Sequence, residues 1–177
     1  ELDEIATEAR PNDGDIVGDV RLGMLGTTAR WLLPTLLPNI AAEHPQLRAI
    51  VAEGSTSVLI PALLSGQYHG AIVHLPVAAP ELHIEALYAE DLMLLTQPDH
   101  PLAEREEIPL PELANHRLLL PPQGSALRTV IDRAAGALGA KLEVQAEIDG
   151  VRLLATLAAD GFGAAIVPAT AVPRNPA

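Results

Sequence analysis

From residue 18 onward, short apolar runs alternate with stretches whose apolar residues recur at helical spacing, and this alternation restricts the chain to an α/β architecture. Asp19 to Met24 reads as a short strand. Leu32, Leu33, Leu36, Leu37, Ile40 and Ala41 then give the next segment one buried helical face. Leu47 to Glu53 makes a second strand, Val58 to Leu64 a second helix, and Gly70 to Leu75, almost wholly apolar, a third strand buried on both faces. Such a succession predicts a parallel sheet. Pro34 and Pro38 interrupt the first helical pattern. An interior proline costs about 3 kcal/mol, so that helix is expected to begin late or kink.

The pattern resumes with a strand at Asp91 to Gln97, a turn at Pro98-Asp99-His100-Pro101, a short helix around Pro111 to Ala114 and a strand at Arg117 to Leu120. Gly124-Ser125 opens a helix carrying Leu127, Val130, Ile131, Ala134 and Leu138, with Gly139 suited to a left-handed C-cap. Lys141 to Glu147 alternates apolar and polar, as a half-exposed strand does. Asp149 is expected to cap the following helix, which bears Val151, Leu154, Ala155 and Ala158, before Gly161-Phe162-Gly163 turns into a strand at Ala164 to Val167. Ahead of all this, Glu1 to Arg10 reads as the end of a helix that Pro11-Asn12-Asp13-Gly14 breaks.

Composition narrows the function classes. Lys plus Arg number 11 against 23 Asp plus Glu, a formal charge of −12, with no basic run. Such a segment is repelled by phosphate backbones, so any DNA contact must come from elsewhere. With no cysteine in 177 residues, disulfides, zinc-thiolate sites and thiol nucleophiles are excluded within them. The acidic N-terminus does not read as an export signal, and no apolar run approaches the roughly 20 residues of a membrane span. A cytoplasmic protein without membrane partners is the expectation.

Two strand-to-helix turns place hydroxyls where helices begin: Gly23-Met24-Leu25-Gly26-Thr27-Thr28 and Glu53-Gly54-Ser55-Thr56-Ser57. Free N–H groups at a helix start carry partial positive charge, and a neighbouring Ser or Thr can hold a carboxylate or hydroxyl. The device reads as ligand binding. Nothing points to catalysis: there is no Gly-x-Ser-x-Gly elbow, no phosphate-binding loop ending in Lys-Ser or Lys-Thr, and Gly161-Phe162-Gly163 follows a helix rather than a strand. His69 and His74, five apart, would point to opposite faces of one strand and cannot share a metal. No catalytic residue, metal or cofactor is expected.

In order and spacing, Val20-Arg21-Leu22-Gly23, Leu33-Pro34, His44-Pro45, Glu53-Gly54 with Thr56, Leu64 to Val73, His100-Pro101-Leu102, and Ala158 through Pro168 resemble the effector-binding domain of LysR-type transcriptional regulators. The resemblance runs from about Gly18 to Pro168 and departs at His69, where family members usually carry Asp. It implies a two-lobe type 2 periplasmic-binding-protein-like fold with a ligand cleft between lobes: residues 1–17 the end of a linker helix and linker, 18–88 a first lobe, 89–167 a second, and 168–177 a crossover back, the first lobe lacking its closing elements. It also implies a small effector, self-association as dimer or tetramer, and DNA binding only through a helix-turn-helix absent from these residues. An exported solute-binding protein of the same fold is the alternative.

Carried over position by position, the effector contacts would be Thr27, Thr28, Ser55, Thr56 and His74 from the first lobe, and Ser125, Arg128 and Gly150 from the second. Plainer roles compete at each. Ser and Thr at helix starts are ordinary N-caps, favourable by about 1 kcal/mol without any ligand. His74 is equally a satisfied half-buried histidine, Arg128 a residue on a solvated face, Asp149 a cap, and His69 and His100 residues of exposed turns. An organic acid is the expected effector, with Arg128 pairing bidentately to its carboxylate.

Overall fold

Strand and helix alternate as the hydrophobic pattern predicts in a computed structural model of the chain, which describes residues 16–172. The expected helix end at Glu1 to Arg10 and the residues from Pro173 onward lie outside that range. The described residues fall into two units, 16–54 with 58–72, and 55–57 with 73–172.

In the first unit, β1 (Gly18–Met24) is central to a parallel three-stranded sheet between β2 (Leu47–Glu53) and β3 (Gly70–Ile72). Helix α1 (Gly26–Glu43) packs on β2, and α2 (Thr56–Leu64) places Leu59, only 1% exposed, at the centre of this unit's core. Gly23 and Gly54 are small because of Leu59: a Cβ at Gly23 would lie 2.7 Å from a Leu59 methyl, and one at Gly54 3.1 Å from it.

Three expectations are corrected here. Helix α1 does not begin late: it starts at Gly26 and continues through both prolines to Glu43. Pro34 and Pro38 are four apart on the exposed side, as are Arg30 and Pro34, whose carbonyls lose their donors, so water can satisfy them. The apolar arc of α1 is wider than the strip it buries: Leu37 is 43% exposed and Ala41 is exposed too. Strand β3 is three residues long and half-buried, because its ladder on β1 ends at Met24, after which Leu25 N–H takes the Ile72 carbonyl at 3.2 Å.

The second unit holds a mixed sheet in the order β4 (Leu92–Leu95), β7 (Ala164–Pro168), β5 (Arg117–Leu120), β6 (Glu143–Glu147). β7 is parallel to β5 and β5 to β6, whereas β4 runs antiparallel to β7, so this sheet is mixed rather than wholly parallel. β4 is shorter than the apolar run because it pairs with only four residues of β7. β6 shows the predicted alternation of exposed and half-buried residues. Helix α3 (Ala126–Ala137) covers one side through Leu127 and Ile131, which pack with Leu118, Leu120 and Ile166. Helix α4 (Val151–Ala159) covers the other through Leu154, Ala155 and Ala158, against Leu119, Ala165 and Val167.

A 3-10 helix at Leu110–Asn115 stands where a short helix was expected, and Gly139 has the left-handed φ of +64° that its C-cap role requires. Asp149 is not the cap of α4. The N-cap is Gly150, at φ +106°, with no side-chain cap bond, because the chain leaves β6 through a backbone conformation that favours glycine at that position.

Candidate functional site

Strand β1 delivers the chain to α1 through Leu25, whose backbone is extended and whose side chain offers no cap. Thr27 and Thr28 then enter the first turn of α1 buried, at 3% and 1% exposure. Among the described residues, Thr27 Oγ1 has no hydrogen-bond partner. A hydroxyl in that state forfeits about 1 to 3 kcal/mol of solvation, which nothing in its own helix returns. Thr27 is therefore not the ordinary N-cap that its position suggested.

Ser55 and Thr56 open α2 differently. The Ser55 and Ser57 hydroxyls bond one another at 2.8 Å. Thr56 Oγ1 accepts the backbone N–H of His74 at 3.2 Å, so it ties two of the candidate residues together rather than capping its helix. The His74 ring is largely buried, and burial lowers its pKa below the usual histidine value, partly opposed by the Glu90 carboxylate. Glu90 is itself held by the Thr170 N–H at 2.9 Å. His74 is thus a neutral imidazole near neutral pH.

Ser125 is the N-cap of α3, its Oγ accepting the Arg128 N–H at 3.2 Å. Arg128 does not lie on a solvated face. It is 5% exposed, and its guanidinium donates to Asp132 Oδ1 at 2.8 Å, to the Pro121 carbonyl at 3.1 Å and to Glu147 Oε1 at 3.0 Å. Gly150, three residues past Glu147, is exposed at the start of α4.

Of the remaining histidines, His69 is exposed as expected, but its Nδ1 accepts the Arg21 N–H at 3.3 Å while its own N–H donates to the Arg21 carbonyl at 2.8 Å. An Asp could accept the same amide, which accounts physically for the tolerance of His at this turn. His100 is half-buried rather than at an open turn, with its ring centroid 5.3 Å from that of His116.

Sequence reasoning missed Glu90, Asp132 and Glu147. Asp132 was within reach of the helical i,i+4 rule, whereas Glu147 lies on another element and Glu90 in an irregular segment, and no spacing announces either. Among the described residues, no group of three or more His, Cys, Asp or Glu could hold a metal ion, and no helix is long and apolar enough to cross a membrane.

The LysR substrate binding domain family matches residues 13–177. A probable hydrogen peroxide-inducible genes activator of Streptomyces viridosporus is 33% identical over 175 residues, covering 97% of this chain and 55% of that protein. The chain spans about half the length of the curated relatives it matches. Among solved structures, the effector binding domain of QuiR in complex with shikimate superposes with a TM-score of 0.80 at 22% identity, over 86% of this chain and 74% of that one. A cysteine-to-serine mutant of Corynebacterium glutamicum OxyR with hydrogen peroxide bound superposes with a TM-score of 0.74 at 28% identity, over 94% of this chain and 53% of that one.

Proposed function

This chain belongs to the LysR substrate binding domain family, and we propose that it is the effector-sensing domain of a LysR-type transcriptional regulator, binding a small organic acid. The fold is periplasmic-binding-protein-like, in common with the family's effector-binding domains. The observation that carries the proposal is the buried Thr27 hydroxyl without a partner at the start of α1. Helix starts that follow parallel strands are where open α/β sheets take ligands, and an acceptor arriving there would satisfy the Thr27 hydroxyl at the positive end of the helix dipole. Thr28, in the same unit, is the second candidate contact; Ser55, Thr56, His74, Ser125 and Gly150 are those of the other unit.

In this reading the protein catalyses nothing. The ligand acts by preferring one arrangement of the protein over another, which is the only way that binding can shift an equilibrium. DNA contact would come from a helix-turn-helix outside these residues, whose own charge of −12 repels phosphate backbones. The regulator would act in the cytoplasm as a dimer or tetramer. Although the Streptomyces relative is named for hydrogen peroxide, these residues contain no thiol to oxidise, so sensing by them would rest on reversible binding.

One observation favours a second reading, an uncharged effector. The Arg128 cation is already opposed by two carboxylates, and His74 is held neutral, so neither supplies a free positive charge to an anion. Isothermal titration of the protein with small organic acids and with their primary amides separates the two. Binding of an acid but not its amide, weakened at least tenfold by Thr56→Val, is the expected result; preference for the amides would establish the second reading instead. Absence of binding by any compound of either class would count against effector sensing.

A further inference from the structure

Arg128 lies one turn into α3 with a side chain only 6% exposed, and it touches three parts of the second unit at once. Its Nε is held by Asp132 on its own helix. Nη1 reaches the Pro121 carbonyl in the turn between β5 and α3, and also Glu147 Oε1 at the end of β6. The other Glu147 oxygen, Oε2, accepts the Gln123 N–H of that same turn at 3.4 Å. Glu147 therefore faces the β5–α3 turn through both oxygens, once by way of the guanidinium and once directly. The backbone adds a tie, Ile148 N–H to the Leu120 carbonyl at 2.9 Å, and Gly150 then accepts the Leu154 N–H as α4 begins.

We infer that Arg128 is a positioning residue rather than an effector contact: with Glu147 it locks the turn that ends in Ser125 to the turn that ends in Gly150, so that the starts of α3 and α4 move as one body. The charge arrangement supports this assignment. A guanidinium opposed by two carboxylates has no net positive charge to offer, and bidentate capture of a ligand carboxylate would have to break bonds that are already charge-assisted. The guanidinium is buried while the Asp132 and Glu147 side chains are 50% and 39% exposed, so removing a carboxylate leaves a buried cation with less counter-charge, and the bonds form without any ligand. The planar fork matters as much as the charge, because Arg128 serves a backbone carbonyl and two carboxylates in different directions, which a lysine ammonium cannot reproduce. The inference rests on the effector reading only for its consequence, namely that the candidate contacts Ser125 and Gly150 are presented together.

Amide hydrogen exchange of the ligand-free protein tests this, with Glu147→Gln as the principal variant, since it keeps the shape of the side chain and removes its charge. The expected result is exchange faster by roughly tenfold in both 121–127 and 147–153, with no change in 47–53 of the first unit. Asp132→Asn removes the other carboxylate and is expected to leave 147–153 unchanged. Arg128→Lys retains the charge without the fork and is expected to loosen both turns as Glu147→Gln does; should Glu147→Gln fail to fold, Arg128→Lys is read by the same criterion. The inference is overturned if only one turn responds, if neither does, if the whole second unit responds uniformly, or if Asp132→Asn reproduces the full effect. No effector is needed, so failure here leaves the effector reading standing, and failure to find an effector leaves the lock standing.

Discussion

Leu59 shows how one side chain dictates two glycines distant in sequence. Gly23→Ala would place a Cβ 2.7 Å from Leu59, a core side chain only 1% exposed, and 3.2 Å from the half-buried Tyr68. A loss of about 1 to 3 kcal/mol is expected in denaturant unfolding, with Leu59→Ala losing about 2 to 5 kcal/mol by leaving a cavity. In the sequence both glycines read as turn residues flanking hydroxyls, because nothing local reveals a leucine that packs against them from another element. Histidine protonation is the second matter at this scale. His74 and His100 both have pKa values lowered from 6.5, each chiefly by burial, opposed at His74 by Glu90, and at His100 reinforced by His116 and opposed by Asp99. A depressed histidine pKa means that the unfolded chain binds more protons, so stability rises with pH and is lost as pH falls through the unfolded value of about 6.5. Below the folded values the loss levels off. Thermal melts between pH 7.5 and 5 should show this decline, and His100→Gln should flatten it; a melt independent of pH in that window would refute the assignment. His100 has a further reason to resist protonation, since its Nδ1 accepts the Leu102 N–H at 3.2 Å.

At the scale of elements, the two second-unit helix starts differ in a way that single substitutions expose. Ser125 caps α3 through its side chain, whereas Asp149 stands before α4 without capping it. Ser125→Ala should therefore cost about 1 kcal/mol, and Asp149→Ala should lie within about 0.5 kcal/mol of the parent, as read by chemical denaturation. Equal losses would contradict the assignment. Helical and strand periods made nearly every element legible, and the strand at Arg117–Leu120 stands as predicted. The misreadings share a physical origin. β3 and β4 are cut short by their partners, α1 crosses two prolines that free the carbonyls of the exposed residues Arg30 and Pro34, and the cap of α4 passed to Gly150 through a left-handed backbone angle. All of these are set by neighbours in space rather than by neighbours in sequence. The hydroxylated turns at Thr27 and Thr56 were visible as turns, but not that one hydroxyl is orphaned and the other bonded to His74.

For the whole molecule, the order of elements and the charge of −12 already favoured a ligand-binding α/β protein over a nucleic-acid binder. Family membership agrees with the resemblance read from short motifs at Gly23, Glu53 and the Ala158 to Pro168 segment. The identity of the effector was not legible, since the charge balance around Arg128 depends on Glu147 meeting it in space. The claim on which the account turns is that Thr27 is kept unpaired for a ligand. The most direct measurement is the melting temperature of Thr27→Val with and without an organic acid that stabilises the parent. Removing a buried hydroxyl that lacks a partner should leave the ligand-free protein at least as stable as the parent, by up to about 1 kcal/mol, while abolishing the stabilisation by ligand. A variant that melts lower than the parent without ligand, or that keeps the full ligand-induced rise, would contradict the account.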